Sequence, residues 1–269
     1  MSNEELIYTQ KGSTAWLTLN RPKAMNSISL SIIERMEELL PKIATDDSVR
    51  VVVLTGAGPA FCAGADLKLS IPLLSGARQP ETEFDHRLRD TADWLGQLMQ
   101  RNQSFSKPVI AAINGTAIAG GCELALASDI RIASSNASFA LTEARVGIVP
   151  AGGSMVRLPR QIPWCHAMEF MLTGDTISAE QARDMGLINR VVAPEDLYAE
   201  VEKLIAKLTA NAPLSLQAIK RTAVMTSGME LEQAFALEDR EANAIIVSED
   251  AKEGPRAFAE KRQAVFQGK

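Results

Sequence analysis

The sequence predicts an α/β fold over residues 1–194, followed by a helical region over residues 195–269. Two observations lead to this prediction. Short β-prone runs alternate with helical patterns up to about residue 192, and beyond Pro194 the apolar residues recur only at helical spacing. A chain of 269 residues is long enough for one large domain, or for a core domain with a small appendage.

Runs of β-branched and apolar residues predict the strands. Leu6–Gln10 and Ala15–Asn20 lie on either side of a glycine-containing turn and predict a β-hairpin. Four later runs predict single strands, and the first two of them contain continuous apolar stretches, which indicates burial. These runs are Val49–Thr55, Val109–Ile113, Asp129–Ala133 and Leu187–Val192.

Apolar periodicity and capping residues predict the helices. Ser31 and Glu34 fit a capping box for the first helix, and Pro41 is expected to kink or end it. Ser178 with Gln181 predicts the start of a later helix, which Gly186 ends. The apolar face of the first helix is predicted to consist of Ile32, Ile33, Met36, Leu39, Leu40 and Ile43.

The middle and the end of the chain give a mixed signal. Ile71–Asp90 has no clear period and predicts a mobile loop, which leads to a helix around Trp94–Met99. Cys122–Ala127 predicts a short helix that two glycines open. Beyond Pro194, one apolar stripe from Leu197 to Leu208 and another from Leu231 to Ile246 predict two long helices.

Composition excludes several classes of protein. The formal net charge of -5 lacks the basic excess expected of a general nucleic-acid binder. No apolar run approaches the ~20 residues of a membrane helix, and residues 1–10 do not resemble a signal peptide, so we expect a cytoplasmic protein. Three widely spaced cysteines and two histidines predict neither a disulfide framework nor a metal site.

Two glycine-containing segments after strands could bring the backbone close to a ligand. In Phe61–Asp66, small residues leave the backbone accessible, although a purely structural turn explains the same pattern. Gly120 and Gly121 precede a helix, whose free N–H groups and positive dipole end suit a carbonyl oxygen that gains negative charge. Glu123 falls in the first turn of that helix, where a capping carboxylate is also common.

A third segment places Glu143 among apolar and small residues. A surface glutamate paired with Arg145 is the simpler interpretation of this position. Sequence spacing does not determine whether Glu123 and Glu143 meet, because twenty residues separate them and the fold decides. A fourth segment, residues 56–58, has two of the glycines of a dinucleotide-binding motif but lacks the third, so it indicates only a turn.

Taken in order, these segments resemble the crotonase (enoyl-CoA hydratase/isomerase) superfamily through nearly the whole chain. The motifs that carry the resemblance are Arg21–Asn26, Ala63–Asp66, Ala119–Ala125, Glu143 with Gly147 and Pro150, Arg157–Arg160, Gly174–Val192, and Ser248–Gly254 with Phe258 and Lys261. Two positions depart from the family pattern. Ala119 replaces a glycine, and Ser154-Met155-Val156 replaces a run similar to Gly-Thr-Gln.

The resemblance implies a spiral of ββα units, with C-terminal helices that pack in a trimer or a dimer of trimers. It implies an acyl-CoA thioester as substrate, with coenzyme A part of that substrate and no separate cofactor or metal. It also implies which residues bind coenzyme A, the last two of them in the site of their own or of a neighbouring subunit. These residues are Lys23, Ala24, Met25, Gly64, Ala65, Asp66, Leu67, Phe258 and Lys261.

The resemblance further implies hydration of a 2-enoyl-CoA. The N–H groups of Ala63 and Gly120 are expected to hold the thioester oxygen, Glu123 to act as base toward water, and Glu143 to protonate Cα. Because neither glutamate is replaced, a hydratase is favoured. Two alternatives stay open: another enzyme of this superfamily, either an isomerase or a dehydratase or lyase for a specialised acyl-CoA, and a non-catalytic binding protein.

Overall fold

The computed structural model describes residues 4–90, 96, 98–101 and 105–269. Ten strands form two sheets, one of six strands in the order β1-β2-β3-β5-β7-β10 and one of four in the order β4-β6-β8-β9. The strands are β1 (Leu6–Lys11), β2 (Thr14–Leu19), β3 (Val51–Gly56), β4 (Ala60–Cys62), β5 (Val109–Ile113), β6 (Thr116–Ile118), β7 (Ile130–Ser134), β8 (Ser138–Ala140), β9 (Ile177–Ser178) and β10 (Arg190–Val192).

Helices follow the strands and dominate the C-terminal region. They are α1 (Leu30–Thr45), α2 (Ser70–Leu74), α3 (Glu83–Asp90), α4 (Gly120–Ala127), α5 (Ser154–Gln161), α6 (Trp164–Thr173), α7 (Ala179–Asp184), α8 (Leu197–Thr209), α9 (Pro213–Met225), α10 (Leu231–Ile246) and α11 (Glu249–Ala259). Short 3-10 turns cover Pro22–Ala24, Glu143–Val146 and Pro194–Asp196. Within the described residues, no helix combines the length and the apolarity needed to cross a bilayer.

The two sheets are built by one repeated path of the chain. A strand of the large sheet runs directly into a strand of the small sheet, and a helical segment then leads back, as in β3–β4–α2, β5–β6–α4 and β7–β8–α5. Neighbouring strands along this path pair in parallel, whereas β1 with β2 and β8 with β9 pair antiparallel. This spiral of ββα units confirms the predicted fold class.

Both faces of the large sheet are buried, which explains the continuous apolar run of β3. Val52 and Leu54 face the main core together with α1 and α4, while Val51 and Val53 face α8. Because successive strand residues point to opposite faces, only a strand covered on both sides is apolar throughout. Helix α8 lies beyond the predicted division at residue 194, yet it shares this second core with the sheet. The division therefore marks a change in the sequence pattern and not a boundary between two separate cores.

The N-terminal predictions are confirmed with two corrections. The hairpin forms, and all six residues predicted for the apolar face of α1 are buried. The capping box at Ser31 is wrong, because Ser29 caps the helix and its hydroxyl accepts the N–H of Ile32 at 3.2 Å. Pro41 does not end the helix, which continues to Thr45 with the buried Ile43 packed beyond the proline.

The segment Ile71–Asp90 was predicted to be a loop, but it contains most of α2 and all of α3. Asp85 organises the start of α3, because its carboxylate accepts the N–H groups of Glu81 and Thr82 and pairs with Arg78 at 3.0 Å. These local polar contacts replace the apolar periodicity that sequence analysis looks for. The helix predicted around Trp94–Met99 cannot be compared with the structure, because residues 94, 95 and 97 lie outside the described residues.

Candidate active site

A cavity of about 180 Å³ lies where the segments after β4, β6 and β8 converge. Buried apolar side chains, among them Ile33 and Met99, close its inner end, and exposed Leu67 and Val149 lie at its mouth. The cavity also brings together six residues that the sequence analysis selected for substrate contact or catalysis. They are Ala63, Ala65, Leu67, Gly120, Glu123 and Glu143.

The small residues before α4 let β4 lie directly against the start of this helix. A Cβ atom on Gly121 would lie 2.0 Å from the carbonyl oxygen of Cys62, so no other residue fits without displacing the backbone. Gly120 is the first residue of α4, and its N–H group has no acceptor within the helix. The close approach of the two segments therefore leaves one helix N-terminus facing the cavity beside residues 63–65.

The prediction that Ala63 supplies an oxyanion-hole donor is wrong. Its N–H group donates to the carbonyl oxygen of Met25 at 2.9 Å and is therefore already used. A parallel bridge between Ile28 and Ala65 shows which amide is available instead. In this bridge, Ile28 donates to Gly64 O at 2.8 Å and accepts from the N–H of Asp66 at 3.0 Å.

The hydrogen bonds of this bridge do not use the N–H group of Ala65. Within the described part of the chain, that N–H group has no backbone acceptor, and Ala65 lines the cavity. A Cβ atom on Gly120 would lie 3.5 Å from the nitrogen of Ala65, so the two amides are close neighbours. The geometry therefore supports Ala65 and Gly120, rather than Ala63 and Gly120, as the pair of backbone donors.

Glu123 is held by the segment that begins α5. Its side chain is buried, with the residue only 4% exposed, and Oε1 accepts the backbone N–H of Ser154 at 3.1 Å. Gly152 packs so closely that a Cβ atom there would lie 2.5 Å from Oε2. Burial raises the pKa of Glu123 above its usual value, and the backbone N–H of Ser154 opposes that increase.

Glu143 is buried with a free oxygen. It opens the 3-10 turn after β8 and is 6% exposed, and among the described residues its Oε2 atom has no hydrogen-bond partner. Burial raises the pKa of Glu143 to about 7, its own backbone N–H lowers it, and the charge of nearby Glu123 raises it further. Pairing with Arg145 is excluded, since that side chain forms its ion pair with Asp175.

Of the residues predicted to bind coenzyme A, Leu67 lies at the mouth of the cavity and is 62% exposed. Lys23 and Met25 are also exposed, in and just after the 3-10 turn Pro22–Ala24. The carboxylate of Asp66 has a structural task instead. It pairs with Arg21 at 3.0 Å and accepts the N–H of Lys68 at 3.0 Å, which fixes the turn that leads to α2.

Phe258 and Lys261 do not reach the cavity of their own chain, because neither side chain lines it. Phe258 is 85% exposed near the end of α11, and Lys261 follows that helix at a positive φ of 55°. Their contact with coenzyme A therefore stays a prediction that involves a second copy of the chain.

Sequence analysis missed two residues that support the site. The side-chain amide of Asn26 is fully buried and donates to the carbonyl oxygens of Ala57 and Ala60, which ties the Arg21–Asn26 segment to the turn before β4. Ser154 was noted only as a departure from the family pattern, yet its N–H holds Glu123. A polar residue among small neighbours at the start of a helix was the only available signal.

A larger cavity of about 580 Å³ lies beside α5 and α9 and is lined by several basic residues. The buried cationic side chains in its lining already bind other groups of the protein. Arg131 donates to the carbonyl oxygens of Ala125 and Leu187, and Lys220 pairs with Asp129 at 2.8 Å. We therefore place the chemistry in the smaller cavity, where the two raised-pKa carboxylates lie.

Known proteins match this chain over its full length. The family model described as Enoyl-CoA hydratase/isomerase matches residues 9–269. The chain is 42% identical to (E)-benzylidenesuccinyl-CoA hydratase of Thauera aromatica over 94% of this chain and 95% of that protein. It is 39% identical to carnitinyl-CoA dehydratase of Proteus mirabilis over 99% of this chain and 100% of that protein.

The fold gives the same result. The crystal structure of an enoyl-CoA hydratase from Bacillus anthracis superposes with a TM-score of 0.88 at 34% identity, covering 98% of this chain and 100% of that one. Sequence match, spiral fold and the paired glutamates beside a helix N-terminus agree. The chain is therefore an enzyme of the enoyl-CoA hydratase/isomerase family, within the crotonase superfamily.

Proposed function

We propose that this enzyme adds water across the 2,3 double bond of a 2-enoyl-CoA thioester. The observation that carries the proposal is the pair of buried carboxylates in one cavity, Glu123 held by a backbone N–H and Glu143 with a free oxygen. One carboxylate that stays ionised and one that holds a proton near neutral pH are what the two proton transfers of hydration require.

In the proposed reaction, the thioester oxygen accepts hydrogen bonds from the amides of Ala65 and Gly120. Glu123 removes a proton from water as the water oxygen bonds to Cβ, and the electrons of the double bond move onto the thioester as an enolate. Glu143 then donates its proton to Cα, which gives the 3-hydroxyacyl-CoA. Each backbone donor aimed at the developing oxyanion stabilises it by roughly 2.7–4 kcal/mol, judged from comparable sites.

Proton balance is restored between turnovers. After the reaction Glu123 carries the proton taken from water, and Glu143 has lost the one given to Cα. Transfer of one proton between the two carboxylates, directly or through water, resets the pair, and the charge of Glu123 raises the pKa of Glu143. In the reverse direction, with roles exchanged, the same groups dehydrate a 3-hydroxyacyl-CoA.

We propose that coenzyme A enters over Leu67 and lies along Lys23 and Met25, all of which are exposed. A homotrimer, or a dimer of trimers, would bring Phe258 and Lys261 of a neighbouring copy toward this ligand. The exposed apolar side chains of the C-terminal helices support subunit contact, because a large apolar patch on a soluble surface commonly marks an interface. They include Leu231, Phe235, Ile246 and Phe258.

The first experiment follows the enoyl-thioester absorbance of crotonyl-CoA after addition of the purified enzyme. Loss of absorbance with formation of 3-hydroxybutyryl-CoA supports hydration, and Glu123→Gln or Glu143→Gln should each slow it by about 10²–10⁴-fold. Glu202→Gln, an exposed position on α8, is the matched control and should retain the full rate. Wild-type rates in both active-site variants would rule out the two-carboxylate mechanism.

A dehydratase or hydratase for a substituted acyl group is the second candidate. The similarity to the carnitinyl-CoA and benzylidenesuccinyl-CoA enzymes favours it, because the names of both specify substituted acyl groups. Tight binding of crotonyl-CoA without turnover, together with turnover of a substituted 3-hydroxyacyl-CoA, would favour this candidate over a simple enoyl-CoA hydratase.

A further inference from the structure

The first residue of α5 lies directly against the carboxylate of Glu123. The backbone N–H of Ser154 donates to Oε1 at 3.1 Å, and Gly152 lies so close to Oε2 that a Cβ atom there would be 2.5 Å from it. As the first residue of an eight-residue helix, Ser154 also places the positive end of the helix dipole at this carboxylate. The ionised form of Glu123 is therefore favoured from one side.

The side chain of Ser154 has no corresponding explanation in the fold. The residue is 0% exposed, and among the described residues its hydroxyl has no hydrogen-bond partner. A buried hydroxyl without a partner is destabilising, so a fold that retains one gains nothing structural from it. The hydroxyl lies near enough to Glu123 to favour its charged form, although its present geometry is not that of a hydrogen bond.

We propose that Ser154 is a positioning residue whose hydroxyl rotates to donate to the ionised carboxylate of Glu123, so that Glu143 is the glutamate that holds the proton. This inference rests on the proposed function and adds to it the group that distinguishes the two carboxylates. Glu123 then has two donors from one residue, while Oε2 of Glu143 has none among the described residues.

Other charged or titratable groups also face Glu123. Glu143 lies across the cavity and opposes a second negative charge, and Arg157 of α5 favours the charged form of Glu123. The adjacent thiol of Cys122 is fully buried, and burial holds it in its neutral form. These groups are unchanged when only the hydroxyl of Ser154 is removed, so the substitution isolates its effect.

Ser154→Ala is the decisive variant. A hydrogen bond to an ionised group changes an equilibrium constant by about tenfold to a hundredfold, so the acidic limb of the kcat profile should move up by about one to two pH units. At pH values below the acidic limb, kcat should fall by about tenfold to a hundredfold. KM should stay nearly unchanged, because the hydroxyl does not line the substrate cavity. Ser154→Thr, which keeps a hydroxyl, should restore the wild-type profile.

A control separates this role from a structural one. Ser134 on β7 also has a buried hydroxyl without a partner among the described residues, and it does not line the cavity. Ser134→Ala should leave Tm equal to or higher than that of the wild type, because it removes an unpaired polar group, whereas Ser154→Ala removes a donor to a buried carboxylate and should lower Tm at pH values where Glu123 is ionised. Only Ser154→Ala should move the pH profile, and a lower Tm with an unchanged profile would overturn the proposal.

A direct titration tests Ser154 even if the enzyme does not hydrate crotonyl-CoA. The carboxyl ¹³C resonance of Glu123, identified by its loss in Glu123→Gln, is followed against pH in the Glu143→Gln background, with and without Ser154→Ala. Removal of the hydroxyl should raise the pKa of Glu123 by about one to two units. Equal titration curves would overturn the inference about Ser154, whereas inactivity of the wild type would instead overturn the proposed function.

Discussion

Replacement of Glu143 by glutamine should slow hydration by about 10²–10⁴-fold and at the same time change how stability depends on pH. Burial raises the pKa of this carboxyl from 4.5 to about 7, so the folded protein holds a proton that the unfolded chain releases between these two values. The resulting stability is fully present below about pH 4.5, falls as pH rises, and is lost above about pH 7. Each pKa unit corresponds to 1.36 kcal/mol, which gives about 3 kcal/mol over the window.

Glutamine does not titrate, so the stability of Glu143→Gln does not include this decrease with rising pH. Between pH 5 and pH 8, the free energy of unfolding of the variant should therefore increase relative to that of the wild type by about 2–3 kcal/mol. Its buried amide also lacks a partner, but that cost is the same at every pH and does not affect the comparison. Burial, the largest cause of the raised pKa of Glu123, is the same in the variant and the wild type.

Urea unfolding at pH 5, 6, 7 and 8 measures this difference. All curves are recorded at one protein concentration, because subunit association would make apparent stability depend on concentration. Glu202→Gln, on the exposed face of α8, controls for the loss of one carboxylate and should follow the wild-type curve. If the stabilities of Glu143→Gln and the wild type changed in parallel with pH, the raised pKa and the role of Glu143 as proton donor would both be refuted.

Three further substitutions test the backbone of the site. Ala119→Gly should raise the free energy of unfolding by about 1 kcal/mol in urea without loss of hydration, because Ala119 has φ 52° and ψ -126°, a conformation that favours glycine; a destabilised variant would contradict this. Gly121→Ala should lower the free energy of unfolding by more than about 2 kcal/mol, since the new Cβ would lie 2.0 Å from Cys62 O. Asn26→Ala should lower Tm and raise KM for crotonyl-CoA, because the carbonyl of Ala57 loses its donor and that of Ala60 keeps only the 3.2 Å bond from Asn114; an unchanged Tm would show that the amide is not needed.

Where a pattern depends on local geometry, the sequence was a good guide. The apolar face of α1, the capping box at Ser178 and the buried strands β3 and β5 all follow from neighbouring residues and are confirmed. The short strands of the small sheet were not predicted from the residues themselves. Three residues such as Ala60–Cys62 are too few for a period, and only pairing with β6 makes them a strand.

The active site shows the same limit. Small residues after two strands indicated close approach to a ligand, and Glu123 was predicted correctly in the first turn of α4. The choice between Ala63 and Ala65 was beyond the sequence, because both are alanines in the same short motif. Hydrogen bonding decides it, since Met25 uses the amide of Ala63 while the bridge to Ile28 leaves that of Ala65 available.

By itself, the sequence determined the strands of the large sheet, the apolar faces of α1 and α8, and the residue types able to carry the chemistry. Those properties depend on spacing along the chain. Tertiary structure alone decided that Glu123 and Glu143 share one cavity, that Ser154 holds only the first of them, and that burial raises the pKa of the second to about 7. Proximity and desolvation arise only when distant segments pack, so the difference between two identical side chains is a property of the fold.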